Sequence, residues 1–162
     1  LAVLYTIAMI GSIGGGWFPM YFIKKGYKVY DGRMKAMLVI AFFPLVILLA
    51  QPLGYISYWI PVLLIGIGAS AHAAWSANIF TTVSDMFPKK AVGSVVGIGG
   101  MAGGIGGVLM SKLGGALFDH YKGLGHIETG YTIMFTICAV AYLIAWLVMK
   151  SLVPKYKPIT DL

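Results

Sequence analysis

Four polar or amphipathic side chains lie close together inside a long apolar stretch of the sequence. They are His72, Trp75, Ser76 and Asn78, and only alanines separate them. On a helix that turns about 100° per residue, the first three share one side and Asn78 continues onto the adjoining side. Polar groups inside a membrane are costly and usually face a pathway or a binding site, although hydrogen bonds between packed helices are an alternative. The cluster predicts that these four residues bind a substrate.

The same residues offer little for catalysis or for metal binding. Ser76 lies four residues from His72, but no carboxylate lies within an apolar stretch to orient that histidine as a base. The segment Asp119–Glu128 carries two histidines without the tight ligand spacing of a metal site. We therefore predict no enzyme activity, no metal and no cofactor. Proton relays in transporters usually use a buried carboxylate or histidine. The apolar stretches contain no carboxylate, and His72 is their one candidate, so the main proton carrier is expected outside these residues.

Composition indicates that the whole chain resides in a membrane. Of its 162 residues, 59% are hydrophobic and 10% are charged, whereas soluble domains carry about 25% charged residues. Five apolar segments approach the roughly 20 residues that a membrane helix needs, and they cover residues 1–23, 36–53, 58–82, 92–117 and 131–149. The sequence predicts an all-α membrane protein with a tail at 150–162. Because it begins at Leu1 inside an apolar segment, we interpret it as a fragment of a longer protein.

Most basic residues lie in alternate connections, on one side of the predicted membrane. Ten of the twelve follow the first, third and fifth apolar segments: Lys24, Lys25, Lys28, Arg33, Lys35, Lys89, Lys90, Lys150, Lys155 and Lys157. Positively charged connections stay in the cytoplasm, so the C-terminus is predicted to be cytoplasmic. This sorting also argues against nucleic acid as a partner, despite a net charge of +7, and favours the lipid bilayer.

The fourth apolar segment is rich in glycine at four-residue spacing, which lets a neighbouring helix approach closely. The glycines that carry this pattern are Gly97, Gly99, Gly100, Gly103, Gly104 and Gly107. Two interpretations remain open, static packing against neighbouring helices and a helix that slides or rocks during a conformational cycle.

The run from Trp75 to Gly103, WSANIFTTVSDMFPKKAVGSVVGIGGMAG, closely resembles hexuronate transporters of the anion:cation symporter family, within the major facilitator superfamily. The segment Gly11–Trp17, GSIGGGW, extends the resemblance. The resemblance implies twelve helices in two halves, of which the five segments here would be helices eight to twelve of the C-terminal half. It also implies that the helix bearing Trp75 lines a substrate cavity between the halves.

The implied activity is import of a hexuronate, such as glucuronate or galacturonate, by proton symport through alternating access. The resemblance further implies a protein of the bacterial inner membrane that is a monomer at full length. The sugar-acid carboxylate would need an arginine, which is expected from the absent N-terminal half. Two alternatives stay open: a symporter for another organic anion, such as an aldonate or glucarate, and a non-transporting receptor or assembly subunit.

Overall fold

A computed structural model describes residues 2–159, which form helices joined by short connections and contain no strand. The helices are α1 (Ala2–Lys24), α2 (Val29–Phe42), a 3₁₀ segment (Phe43–Leu49), α3 (Ala50–Leu53), α4 (Trp59–Met86), α5 (Lys89–Gly123) and α6 (Ile127–Leu152). The segment Val29–Leu53 acts as one membrane-length unit, so five helical units are long and apolar enough to cross a membrane. The predicted all-α membrane fold with five spans is confirmed.

The helices extend beyond the apolar segments that predicted them. α2 begins at Val29 instead of residue 36, and α5 covers Lys89–Gly123 instead of 92–117. In lipid, the helix satisfies every backbone polar group internally, and nothing requires it to stop where the hydrocarbon stops. Hydropathy detects only the part inside the hydrocarbon, so it underestimates helix length.

The second unit changes its winding near its middle. Pro44 stands at the start of the 3₁₀ segment Phe43–Leu49. Proline has no N–H to donate, and its ring clashes with the carbonyl four residues earlier, which interrupts the α-helical pattern. The chain returns to α-helix at Ala50.

α1 and α5 both end in a cap that depends on a glycine. After α1, Gly26 has φ of 92°, and after α5, Gly125 has φ of 77°. In the first connection the Tyr27 N–H donates to the Phe22 carbonyl, and in the second the His126 N–H donates to the Tyr121 carbonyl. These bonds define Schellman caps, in which a residue with positive φ reverses the chain and satisfies the last helical carbonyls.

α4 lies at the centre of the packed part of the molecule. Its buried residues Ala71, Ala74 and Trp75 form a core with Met37 and Ile40 of α2. Aromatic side chains of α6, including Tyr142 and Trp146, pack against this core from another side. α5 lies at the margin.

The closest backbone approach is between α1 and α4. A Cβ added to Gly11 would lie 2.6 Å from the Ser70 Cα, and one added to Gly15 would overlap the Cα and Cβ of Ala74. Both glycines and both partners are four residues apart, the spacing of helices that meet through small residues.

The basic connections gather at one end of the bundle. The Arg33 Nε lies 2.6 Å from Asp85 Oδ2, which joins the start of α2 to the end of α4. The tail crosses the same end, because the Tyr156 hydroxyl donates to the Asp85 carbonyl at 3.0 Å and the Ile159 N–H donates to the Met86 carbonyl at 2.9 Å. The cytoplasmic location of this end stays a prediction.

Candidate functional site on α4

His72 lies at the middle of α4. It is the fourteenth of 28 residues in the helix Trp59–Met86, and the whole helix is about 42 Å long at 1.5 Å per residue. Such a helix crosses the hydrocarbon core and both interfaces. His72 is therefore at the middle of a helix long enough to cross a bilayer.

One side of α4 is open and another is buried. The open side carries His72, Ser76, Phe80 and Ser84, a row at four-residue spacing that we call the open row. Ser76 is half-buried and the other three are exposed. The buried side carries Ala71, Ala74, Trp75, Asn78 and Thr82. The structure thus places two predicted site residues in the open row and two on the buried side.

Asn78 ties α4 to α1. Its side chain is 1% exposed, and its Nδ2 donates to the Gly15 carbonyl at 2.8 Å and to the Ala74 carbonyl at 2.9 Å. The amide Oδ1 is buried without a hydrogen-bond partner among the described residues. The amide makes the helix–helix hydrogen bond that the sequence left as an alternative to substrate binding.

Trp75 is part of the core. Its side chain is 5% exposed and packs edge-to-face on Tyr142 of α6, with ring centroids 5.4 Å apart at 70°. Such aromatic pairs prefer this geometry and stabilise beyond their buried area. The indole therefore fixes the Tyr142 ring in place.

Tyr142 connects the buried side to the open row. Its hydroxyl lies 2.6 Å from His72 Nδ1, and the two rings meet edge-to-face with centroids 6.2 Å apart. Sequence reasoning missed Tyr142, because nothing in its own apolar segment marks it as a partner of α4. Pairing between helices far apart in sequence depends on the tertiary arrangement.

The glycine-rich surface of α5 meets nothing within the described chain. A Cβ added to any of the six predicted glycines would find no atom within 4 Å. α5 instead contacts α6 farther along, where a Cβ added to Gly114 would lie 3.4 Å from the Met134 methyl carbon. Close packing through the predicted glycines stays a prediction, and its partner would have to come from outside residues 2–159.

A cavity between the first helices does not contain the predicted residues. It has a volume of about 430 Å³ and lies between α1, the second unit and α4, lined by residues such as Gly14, Trp17, Phe43 and Ser70. Its wall is mostly apolar, which does not suit a charged sugar acid. Within residues 2–159, His, Cys, Asp and Glu form no group of three that could hold a metal ion.

A second cavity of about 390 Å³ lies at the end opposite the basic connections, between α3 and the start of α6. Its polar wall is internally hydrogen-bonded: the Gln51 amide donates to the Glu128 carbonyl at 2.9 Å, and the Thr132 hydroxyl donates to Gln51 Oε1 at 2.7 Å. These bonds join α3 to α6, so the polar groups serve packing.

The five long apolar helices indicate a helical integral membrane protein, and the open row places His72 and Ser76 near the middle of α4. The chain is similar to an uncharacterized transporter, YybO, of Bacillus subtilis (strain 168), with 29% identity over 148 residues that cover 88% of this chain and 31% of that protein. It is also similar to the magnetosome protein MamZ of Magnetospirillum gryphiswaldense, with 37% identity over 60 residues that cover 37% of this chain and 9% of that protein.

The chain thus spans less than a third of YybO and less than a tenth of MamZ. No family model matches the sequence, and no solved structure matches it. The similarity to YybO supports a role in transport and is silent on the substrate.

Proposed function

We propose that this chain is part of the C-terminal half of a secondary transporter that imports a hexuronate with protons by alternating access. The observation that carries the transport proposal is the open row of α4, which holds an ionisable group and a hydroxyl at mid-membrane depth on a surface that the chain leaves uncovered. The similarity to YybO over most of the chain supports it. The hexuronate and the proton coupling rest on the resemblance of the run Trp75–Gly103.

Within this proposal the four predicted residues have two kinds of role. His72 and Ser76 lie on the open side, where a sugar acid would find a ring N–H and a hydroxyl to bond. Trp75 and Asn78 are buried, so they act by holding the Tyr142 ring and α1 in position. An arginine from the remainder of the transporter would pair with the substrate carboxylate.

The remainder of the same polypeptide is the proposed occupant of the uncovered surface. YybO is more than three times as long as the stretch that matches it, and a second bundle would cover both the open row and the bare glycines of α5. Glycines without neighbours let another helix come close or slide. The complete protein is then a monomer in the bacterial inner membrane, with its basic end and C-terminus in the cytoplasm.

Uptake by the complete protein in proteoliposomes tests this function. We expect labelled glucuronate to accumulate when the outside is acidic, and a protonophore to abolish the accumulation. Competition by galacturonate, an aldonate and glucarate then identifies the preferred anion. An absence of uptake for every sugar acid in this panel would refute the proposal.

The serines of α4 provide a matched pair of variants. Ser76 and Ser84 both lie in the open row, but Ser84 is two turns nearer the basic end, where its hydroxyl donates to the Phe80 carbonyl at 3.1 Å. Ser76→Ala should raise the KM for glucuronate about fivefold to tenfold, the effect of one lost hydrogen bond, whereas Ser84→Ala should leave it unchanged. Equal KM values in the two variants would remove Ser76 from the site.

A further inference from the structure

We propose that His72 and Tyr142 form a proton-binding site, in which His72 takes up the coupled proton and Tyr142 is its positioning residue. This inference rests on the proposed proton symport and assigns one of its steps to named atoms. It replaces the expectation from sequence that the main proton carrier lies outside these residues. Its basis is the pairing of an imidazole and a phenol, 2.6 Å apart, with the imidazole on the open side of α4 and the phenol half-buried on α6.

The location of His72 requires an explanation beyond packing. It lies at the middle of a 28-residue helix, and its side chain is exposed within the chain. An ionisable side chain at that depth does not face lipid; it faces protein or a water-filled cavity. Imidazole is also the side chain whose ordinary titration falls near neutral pH. An imidazole at the middle of α4 that faces the proposed second bundle suits a proton that must be reached from each side in turn.

The hydroxyl of Tyr142 can accommodate both charge states of the ring. When His72 is neutral with its proton on Nε2, the Tyr142 O–H donates to Nδ1. When His72 gains a proton on Nδ1, that N–H donates to the Tyr142 oxygen and the hydroxyl hydrogen turns away. The hydrogen bond between His72 and Tyr142 therefore persists in both charge states.

Few other titratable groups face this pair. On α6, Cys138 lies one turn before Tyr142, and on α4 the neighbouring buried partner is Trp75, which holds the Tyr142 ring and does not titrate. The Arg33–Asp85 ion pair lies thirteen residues farther along α4, about 20 Å away at 1.5 Å per residue. Among the described residues, His72 is therefore the side chain of this region that we assign as the proton acceptor.

The site couples proton and anion through charge. A proton from the outer solution converts neutral imidazole into imidazolium, and no bond to the substrate is made or broken. Imidazolium attracts the sugar-acid carboxylate that binds beside Ser76, one turn away on the open row. Proton and anion then cross as a neutral pair, and loss of the proton to the inner solution weakens anion binding there.

The test measures exchange of labelled glucuronate across proteoliposomes without a gradient, and accumulation driven by an acidic outside, in the complete protein. In His72→Gln, exchange should be slower and independent of pH, and accumulation should fall to the level reached with a protonophore. Tyr142→Phe, which keeps the ring against Trp75, should lower the midpoint of the pH profile by about half to one unit, because the hydrogen bond that is lost is stronger for the charged ring than for the neutral one. Tyr131→Phe, on the same helix, should behave as wild type.

The outcomes separate this inference from the proposed function. If the wild-type protein neither exchanges nor accumulates any sugar acid, the proposed function fails. If the wild type is proton-driven and His72→Gln still accumulates glucuronate, or Tyr142→Phe keeps the wild-type pH profile, only the proton-site inference fails. If His72→Gln exchanges nothing, His72→Arg supplies a permanent charge: exchange without pH dependence supports the inference, and no exchange overturns it.

Discussion

Replacing Gly15 by valine should separate α1 from α4. A Cβ at this position would lie 3.1 Å from the Ala74 carbonyl carbon and closer still to its Cα and Cβ. These are atoms that no rotamer change can move, so the helices must separate by about 1 Å to reach ordinary contact distances. The Asn78 Nδ2 to Gly15 oxygen distance, now 2.8 Å, would then become about 3.8 Å, beyond hydrogen-bond range.

The expected loss combines two terms. Overpacking of a tight interface costs about 1–3 kcal/mol, and an interhelical hydrogen bond in a membrane protein contributes about 0.6–1 kcal/mol. Together they predict a loss of about 2–4 kcal/mol and a fall of about 5–10 °C in the apparent melting temperature. The assay is thermal denaturation of the purified chain in detergent, followed by the fraction that stays monodisperse.

Gly16→Val is the matched control for this measurement. A Cβ at Gly16 has no neighbour within 4 Å, and the residue change and helix are the same, so only the packing partner differs. We expect Gly16→Val to melt at or slightly above the wild-type temperature, because removing a glycine also restricts the unfolded chain. Equal melting temperatures for Gly15→Val and Gly16→Val would refute the close approach of α1 and α4.

Two further changes test contacts near the basic end. Asp85→Asn should destabilise the protein by about 1 kcal/mol, since the ion pair with Arg33 is only partly shielded from solvent. Added salt should reduce the difference in thermal denaturation between variant and wild type. A difference that salt does not affect would contradict an ionic origin. Trp146→Phe removes the hydrogen bond from Nε1 to the Met34 carbonyl at 2.9 Å and should lower the free energy of unfolding by about 0.5–1 kcal/mol. Trp59→Phe, at the other end of the bundle, should leave it unchanged. Similar denaturation midpoints for the two variants would argue against this hydrogen bond.

The helices were predictable because lipid allows a spanning chain few alternatives. A backbone in hydrocarbon must satisfy its polar groups within the segment, so an apolar run of sufficient length becomes a helix. Partners are a different matter, because hydropathy does not say which helix meets which. The spacing of Gly11 and Gly15 carries the signal for close packing, but the more abundant glycines of α5 carry the same signal and meet nothing within the described chain.

The division of α4 into two sides shows where helical periodicity stops being informative. His72 and Trp75 are three residues apart, so their side chains differ by about 60° around the helix. That places them on one side by periodicity, but the edge of the buried surface passes between them, leaving His72 exposed and Trp75 buried. Where this edge falls depends on α6, whose Tyr142 ring covers the indole. The sequence of α4 alone contains no information on that ring.

Under the alternating access proposed above, the buried side of α4 would keep the site on its open side intact. Alternating access moves one bundle against another around a fixed site, so the groups that hold the substrate must be mounted on a body that does not deform. Asn78 fixes α4 to α1, and Trp75 fixes the Tyr142 ring that reaches His72. Changes on the buried side should therefore alter transport by displacing the open row. Because both His72 and Ser76 would move, substrate binding and proton uptake should change together.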